Sequence, residues 1–372
     1  MKKGAPAASE TRPSEPSLGR TVLTDLKQTD LPGSFRRDLR EIYRFYLTDE
    51  RRAELSRMGT VRGIFWFWGW LIKSLLMKLT PARRLALVAA ALLLSMGEIR
   101  ARLGEVQLVV HMTLVGVVLI VIVLMLELKD KLLARDEIEV ARQVQLALLP
   151  RVHPDLEGWS IWSHTQPAND VGGDLVDYLH VDERRLGVAL GDVAGKGLGA
   201  ALLMSKLQAT LRALAPTTAS LSELGDRINT ILVRDGLENR FATLFYVEIE
   251  PGRGTVRFLN AGHNPPFLVT RDAVQPLRAD SPPLGMLPES RYAEQTRDLA
   301  PGEMLVIYSD GVTEALDDRE EEFGESRLRA VAESLRGLDA EAAGRRLLES
   351  VRAYMGDMRP LDDLSLVLMV RR

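Results

Sequence analysis

Aspartate residues stand beside glycine or a second aspartate at four places between residues 172 and 363 of this 372-residue chain. The four segments are GGDLVDY with Asp174 and Asp177, LGDVAGKG with Asp192, IYSDGVTE with Asp310, and RPLDDLSLV with Asp362 and Asp363. Each segment adjoins a hydrophobic run that is typical of a buried strand. We therefore expect these carboxylates to project from strand ends into a common rim.

Carboxylates that are crowded into one rim repel each other unless a cation neutralises them, and hard oxygen ligands suit Mg²⁺ or Mn²⁺. A single Asp-Gly pair more often marks a turn, so it is the set of four segments that favours a site. Two such ions lower the pKa of a bound water and bind a phosphoryl oxygen at the same time. The pattern therefore favours an acidic site that holds two metal ions.

Composition excludes several other chemistries. The 51 acidic and 48 basic residues give a formal net charge of −3, so no global field draws the chain onto nucleic acid. The chain contains no cysteine. That absence excludes disulfides, thiolate zinc sites and every phosphatase that uses a cysteine nucleophile.

The segments that would position the carboxylates are short β-type runs from Trp159 onward. They include LGVALGDV, ATLFYVEIE, TVRFLNAG, EMLVIYSDG and LSLVLMV, with two long helical stretches at about 199–214 and 221–235. Strands grouped with paired helices predict a layered α+β domain that ends in a C-terminal strand.

The segment from about Glu137 to Arg372 resembles the RsbU/SpoIIE-type serine/threonine phosphatases, a bacterial branch of the type 2C (PPM) metal-dependent protein phosphatases. The resemblance is carried, in this order, by VARQVQLALLP, QPANDVGGDLVDY, GDVAGKGLGAALLM, NAGHNPP, SPPLGM, YSDGVTEA and DDLSLV. It implies a phosphatase domain over residues 151–372 with an αββα layered sandwich, in which two central β-sheets are flanked by helices.

The resemblance also implies roles for individual residues. Asp192 would bridge two Mg²⁺ or Mn²⁺ ions, and Val193 would contribute its backbone carbonyl. Asp310 and Asp362 would complete the shell of the first ion. Asp192, Asp310 and Asp362 are thus the expected catalytic residues. Asp174 matches the family's first acidic position, which acts on the second ion or through its waters.

For four further residues, the sequence leaves alternative roles open. Asp363 is counted among the expected metal ligands, although a supporting or strand-capping role is an equal alternative for Asp363 and for Asp177. The GDVSGHG motif of the family often has His where this chain has Lys196. Lys196 would either attract the substrate phosphate or lie exposed, and we prefer exposure. His263 is expected to belong to a turn beside the site rather than to act as a general acid.

Two functions of different classes are compatible with these residues. The first is hydrolysis of phosphoserine or phosphothreonine without a covalent phosphoenzyme. The family's substrate is typically a phosphorylated STAS-type anti-sigma-factor antagonist in partner-switching signalling. The alternative is a catalytically inactive module that binds partners through the same fold, against which the intact Asp192, Asp310 and Asp362 argue. A nucleotide cyclase is rejected because nothing else typical of cyclases accompanies the GGD string.

The region before the phosphatase domain predicts membrane association. Residues 1–30 are polar and rich in Pro, Ser and Ala, which predicts a disordered tail and not a signal peptide. Residues 31–84 predict amphipathic and interfacial helices. Their apolar positions are Phe35, Leu39, Ile42, Phe45 and Tyr46, followed by Trp66, Trp68 and Trp70 beside Lys73 and Lys78. Such tryptophans favour the bilayer interface over the alternative of a buried core helix.

Residues 85–126 form the predicted membrane segment, with one or two transmembrane helices. Leu108 to Leu126 is close to the ~20 residues that span a hydrocarbon core, whereas Leu85 to Met96 is a short span or a re-entrant segment. Basic residues in KLTPARR and ELKDKLLAR flank the pair. They favour a cytoplasmic-membrane protein whose catalytic domain faces the cytoplasm.

Residues 127–150 predict a linker helix that leads into the phosphatase domain. Ala134, Ile138, Ala141, Gln145 and Leu148 are spaced alternately four and three apart. This spacing fits the seam of a parallel coiled coil, which would make the protein a homodimer through this helix. It fits equally well a helix that packs on its own domain.

Overall fold

The computed structural model describes residues 51, 54–55, 57–103, 106–150, 152–235, 240–278 and 281–372. The predicted tail over residues 1–30 and the predicted apolar stripe from Phe35 to Tyr46 lie outside these residues and stay predictions. The chain divides into two compact units between Asp130 and Lys131.

The described part of the first unit contains two helices, a β-hairpin and the start of a third helix. Its elements are α1 (Thr60–Lys78), α2 (Pro81–Met96), β1 (Glu98–Leu103), β2 (Val106–His111) and α3 (Met112–Leu148), which continues into the second unit. Strands β1 and β2 pair antiparallel, with Leu108 opposite Ala101. The predicted start of the membrane helix at Leu108 was therefore wrong. Residues 108–110 are apolar, but the valines at 109 and 110 favour a strand, whose backbone groups bond to β1.

Helices α2 and α3 run in opposite directions and pack against each other. A side-chain carbon added at Gly116 would lie 2.9 Å from the carbonyl oxygen of Ala90, so the glycine allows close contact. Arg83 binds Glu127 at 2.8 Å and Asp130 at 2.7 Å. The short apolar stretch Leu85 to Met96 is thus the partner of the longer apolar helix within one helical hairpin.

Helix α1 exposes most of its apolar side chains. The exposed residues are Ile64, Phe65, Trp66, Trp68, Ile72, Leu75 and Met77. Arg84 satisfies carbonyls at the end of this helix, donating to Leu76 at 2.8 Å and to Leu79 at 3.1 Å. These side chains do not form a buried core within the described residues, and the predicted interfacial position of the helix stays a prediction.

The second unit contains the two sheets and their covering helices. Its strands are β3 (Trp159–Gln166), β4 (Leu175–His180), β5 (Leu186–Val193), β6 (Ala242–Ile249), β7 (Thr255–Ala261), β8 (Phe267–Val269), β9 (Val274–Pro276), β10 (Glu294–Asp298), β11 (Met304–Tyr308) and β12 (Leu364–Arg371). Its helices are the end of α3, α4 (Leu198–Leu214), α5 (Leu221–Asp235), α6 (Asp310–Thr313), α7 (Gly324–Glu333) and α8 (Ala340–Met355), with a 3₁₀ turn at Ala215–Thr217.

The strands form two five-stranded antiparallel sheets. One sheet has the order β10-β7-β6-β5-β4, and the other has the order β3-β12-β11-β8-β9. Successive side chains of β12 point to opposite faces of its sheet and so belong to two different cores. Val367 and Met369 pack between the two sheets, whereas Leu366 and Leu368 pack towards the helices α7 and α8. Helices α4 and α5 cover the outer face of the first sheet. The predicted αββα sandwich is confirmed.

Candidate metal centre

The three expected catalytic residues line one cleft of about 250 Å³ at an end of the sandwich. Asp192 lies at the end of β5 in the first sheet, whereas Asp310 follows β11 and Asp362 precedes β12 in the second sheet. The complete lining is Asp192, Val193, Ala194, Gly195, Lys196, Phe241, Thr243, Asp310 and Asp362. The sandwich therefore gathers carboxylates that are up to 170 residues apart in the chain.

Buried Ser309 ties together the two strands that carry Asp310 and Asp362. Its hydroxyl donates to the carbonyl of Asp363 at 3.0 Å and accepts from the backbone N–H of Ser365 at 2.9 Å. The hydroxyl thereby links the end of β11 to the start of β12. Sequence reasoning missed Ser309, although its position directly before Asp310 was a signal.

Burial and crowding raise the pKa values of Asp192 and Asp310. The pKa of Asp192 rises to about 7, mainly through burial and then through repulsion by Asp310, Asp362 and Asp363. Burial also raises the pKa of Asp310, and Asp362 adds to that effect. A divalent cation would relieve both the desolvation and the repulsion.

Asp174 adds a further carboxylate close to this cluster. Burial raises its pKa well above the ordinary value, and the charges of Asp192 and Asp363 raise it further. Its Oδ2 atom is buried and has no hydrogen-bond partner among the described residues. A buried carboxylate oxygen without a donor is unusual and suits a metal ligand.

Asp363 binds the loop that carries Asp174. Its Oδ1 accepts from the backbone N–H of Ala168 at 2.7 Å. Its Oδ2 accepts from the N–H groups of Gly173 at 2.5 Å and Asp174 at 3.3 Å. A side-chain carbon at Gly172 would lie 2.5 Å from the same Oδ2 atom, so any larger residue would have to displace the Asp363 carboxylate. These contacts favour the supporting role that was the alternative for Asp363.

The sequence profile described as Stage II sporulation protein E (SpoIIE) matches residues 182–372, just over half of the chain. The chain belongs to this family. Protein IcfG of Synechocystis sp. (strain ATCC 27184 / PCC 6803 / Kazusa) is 31% identical over 230 residues, covering 54% of this chain and 36% of IcfG. Phosphoserine phosphatase RsbU of Bacillus subtilis is 30% identical over 182 residues, covering 48% of this chain and 54% of RsbU. The chain thus matches only about a third to a half of these curated relatives.

Solved structures share the fold of the second unit. The SiaA-PP2C domain of Pseudomonas aeruginosa has a TM-score of 0.56 at 19% identity, covering 65% of this chain and 98% of that domain. The RsbU and RsbW domains of Rv1364c from Mycobacterium tuberculosis give a TM-score of 0.51 at 25% identity, covering 59% of this chain and 63% of that one. The sandwich of this SpoIIE-family chain is therefore a PP2C-like fold.

Asp177 lies outside the acidic cleft. Its carboxylate is fully buried and receives two hydrogen bonds of 2.7 Å from the guanidinium of Arg212 on α4. It also accepts from the backbone N–H of Tyr178 at 2.9 Å. Asp177 thus joins β4 to α4, in keeping with the supporting role that the sequence left open.

Lys196 is paired with a carboxylate of the cleft. Its ammonium lies 2.8 Å from Oδ2 of Asp362 and donates to the carbonyl of Leu361 at 2.7 Å. The side chain is 55% exposed, in keeping with the preferred interpretation of exposure, but its ammonium is also paired. The pairing with Asp362 was not anticipated.

His263 is a buried neutral residue in the turn after β7. Its Nδ1 lies 2.9 Å from the hydroxyl of Thr243, and its backbone N–H donates to Asn260 Oδ1 at 2.8 Å. Burial lowers the pKa of His263 to about 4, so at neutral pH the imidazole is neutral and is not the imidazolium that a general acid would require. Thr243, which lines the cleft, was missed because only the pairing of β6 with β5 places it opposite Asp192.

Gln145 of α3 packs on its own domain. The side chain is 6% exposed and exchanges two hydrogen bonds with the backbone of Gly172. Nearby, Gln208 of α4 donates to the carbonyl of Leu148 at 2.9 Å. Of the two interpretations that the spacing left open, the contacts of Gln145 favour a helix that packs on its own domain.

The donor set fits hard cations, although it does not form a closed cage. All the side-chain ligands are carboxylate oxygens, and Asp174 presents an oxygen without a donor. Within the described ranges, no three His, Asp or Glu side chains already converge as a metal site. Asp174, Asp192, Val193, Asp310 and Asp362 are the groups that would hold the ions.

Proposed function

We propose that this chain is a metal-dependent protein serine/threonine phosphatase that hydrolyses phosphoserine or phosphothreonine. The observation that carries the proposal is the cleft in which Asp192, Asp310 and Asp362 meet from two sheets. Membership of the SpoIIE family supports it, as do the names of RsbU and RsbP of Bacillus subtilis, both called phosphoserine phosphatases.

The residues of the cleft would have distinct roles. Two Mg²⁺ or Mn²⁺ ions, when bound, would supply an activated water and would neutralise phosphoryl oxygens. The Asp192 carboxylate would hold both ions, the Val193 carbonyl would add a further oxygen, and Asp310 and Asp362 would hold the first ion. Asp174 would serve the second ion. Asp363 would keep the Asp174 loop in place through its backbone hydrogen bonds.

The substrate that we propose is a phosphorylated STAS-type anti-sigma-factor antagonist. This proposal rests on the resemblance to partner-switching phosphatases. A cleft of about 250 Å³ is small and suits a phosphorylated side chain presented by a protein surface. The alternative, an inactive binding module, would bind the same partner without releasing phosphate.

We further propose that the first unit inserts into the cytoplasmic membrane. Helix α3 includes a stretch long and apolar enough to cross a bilayer, and that stretch is largely exposed. Exposed leucines and valines also cover α2, its partner in the hairpin. Dimerisation through the linker helix stays part of this proposal, with Val140 and Val144 among the exposed apolar residues available to a second copy.

Phosphate release from purified phosphorylated STAS proteins tests the catalytic proposal. The full-length protein should release phosphate with Mn²⁺ or Mg²⁺, and chelation should stop the release. Asp192→Asn serves as the matched inactive variant. Binding of the phosphorylated partner without any release, at saturating Mn²⁺, would support the inactive module instead.

Carbonate washing of membranes tests insertion, because a peripheral protein would be stripped.

A further inference from the structure

Gln145 forms a reciprocal pair of hydrogen bonds with one residue of the Asp174 loop. Its side-chain Nε2 donates to the Gly172 carbonyl at 2.7 Å, and its Oε1 accepts from the Gly172 N–H at 3.0 Å. Both polar atoms of the amide are thus satisfied inside the domain. A buried amide is costly unless it is hydrogen-bonded, so these two bonds fix the position of Gly172 relative to α3.

The same loop is held from the other side by Asp363. The N–H groups of Gly173 and Asp174 both bond to Asp363 Oδ2. The N–H groups of three consecutive residues, 172 to 174, are therefore bound by side chains from positions 145 and 363. The loop also packs closely against Asp363 at Gly172, where an added side-chain carbon would lie 2.5 Å from the Asp363 carboxylate.

We propose that Gln145 is a positioning residue that sets the metal affinity of the cleft by fixing the loop that carries Asp174. The inference rests on the proposed function, since it concerns the same metal ions. Asp174 is buried and its Oδ2 has no donor in the described structure, so its backbone determines where this oxygen points. Loss of the Gln145 hydrogen bonds would free Gly172 and let Asp174 move away from Asp192 or towards it. Either movement would weaken the binding of an ion that the two carboxylates share.

A second buried glutamine provides a matched control. Gln208 also ties α3 to the domain, through the Leu148 carbonyl, but it does not contact the Asp174 loop. If Gln145 merely docks the helix, then Gln145→Met and Gln208→Met should have the same consequences. If Gln145 positions the loop, only the first variant should weaken metal binding.

The experiment is calorimetric titration of Mn²⁺ into the full-length protein in detergent, together with the Mn²⁺ dependence of phosphate release. We expect Gln145→Met to weaken Mn²⁺ binding by about tenfold or more, as is usual when a residue supporting a metal ligand is lost. Its kcat should largely recover at saturating Mn²⁺. Gln208→Met and Gln143→Met, the latter at an exposed position on the same helix, should bind Mn²⁺ within about twofold of the unchanged protein.

Other outcomes separate this proposal from the proposed function. Unchanged Mn²⁺ affinity in Gln145→Met, or an equal loss in Gln208→Met, would overturn the positioning role. Gln145→Asn, which retains an amide but is one methylene too short, provides a second variant in case the first does not fold. If neither folds while Gln208→Met does, Gln145 is a folding residue and the proposal falls. Absence of Mn²⁺ binding in the unchanged protein would instead count against the proposed function.

Discussion

The ammonium of Lys196 lies 2.8 Å from the Asp362 carboxylate, in the same cleft as Asp192 and Asp310. The hydrogen bond to Asp362 is the main cause that raises the pKa of Lys196, so the side chain stays charged at neutral pH. Lys196 therefore already neutralises one of the carboxylates that a divalent ion would use. A fixed positive charge at this position must repel such an ion.

We predict that Lys196→Met will bind Mn²⁺ more tightly. The expected gain is about three- to tenfold, because the exposed ammonium is partly screened by water. Titration calorimetry of the full-length protein in detergent measures it. Lys206→Met is the control, since that ammonium lies 3.6 Å from Asp235 on a neighbouring helix. A weaker affinity in Lys196→Met would show that Lys196 supports the metal shell and does not compete with it.

We predict that Asp192→Asn will lose phosphatase activity but gain stability without metal. Activity should fall by at least about a hundredfold, because the residue expected to hold both ions is lost. The melting temperature without metal should rise by about 2 to 4 °C, since burial and three neighbouring carboxylates disfavour the charge of Asp192. Mn²⁺ should raise the melting temperature of the unchanged protein only. An equal Mn²⁺-dependent rise in the variant would contradict the assignment of Asp192.

Much of the site could be predicted because strand ends are visible in the sequence. Asp192 follows an apolar run that became β5, and Asp310 follows the run that became β11. Residues at the ends of buried strands meet wherever the sheets stack, so their convergence follows from the layered fold. The resemblance supplied the roles, and the structure supplied the common cleft.

The remaining contacts depend on tertiary partners that no local pattern identifies. Helical periodicity placed Gln145 on a stripe with Leu148, but it cannot say whether a second helix or a loop covers that stripe. The loop at Gly172 covers it. Hydropathy likewise identified an apolar segment from Leu108 onward, but it could not separate the strand that ends at His111 from the helix that begins at Met112.

We predict that His263→Gln will make folding less sensitive to acid. Burial lowers the pKa of His263 to about 4 from about 6.5 in the unfolded chain, so the folded state binds fewer protons. Titration of His263 therefore leaves the unfolding free energy unchanged above pH 6.5. It lowers the unfolding free energy as the pH falls from 6.5 towards 4. Between pH 7.5 and 5, the unfolding free energy of the variant should fall by about 2 kcal/mol less than that of the unchanged protein.

Denaturant unfolding at several pH values measures this difference. Asp192 and Asp310, whose pKa values are raised, act in the opposite direction, but they are present in both proteins. His180→Gln, at an exposed position, should keep the acid sensitivity of the unchanged protein. Equal acid sensitivity in His263→Gln would mean that the folded protein tolerates a protonated His263.

Removal of Asp177 and removal of Arg212, which form an ion pair, should lower the unfolding free energy by different amounts. Asp177 is fully buried, whereas the Arg212 side chain is 47% exposed. Arg212→Ala leaves a buried carboxylate without its cation and should cost about 3 kcal/mol of unfolding free energy. Asp177→Ala leaves an arginine that water can solvate and should cost about 1 to 2 kcal/mol. Because neither residue lines the cleft, both variants should keep the Mn²⁺ affinity of the unchanged protein. A weakened Mn²⁺ affinity in Asp177→Ala at retained stability would return Asp177 to the metal centre.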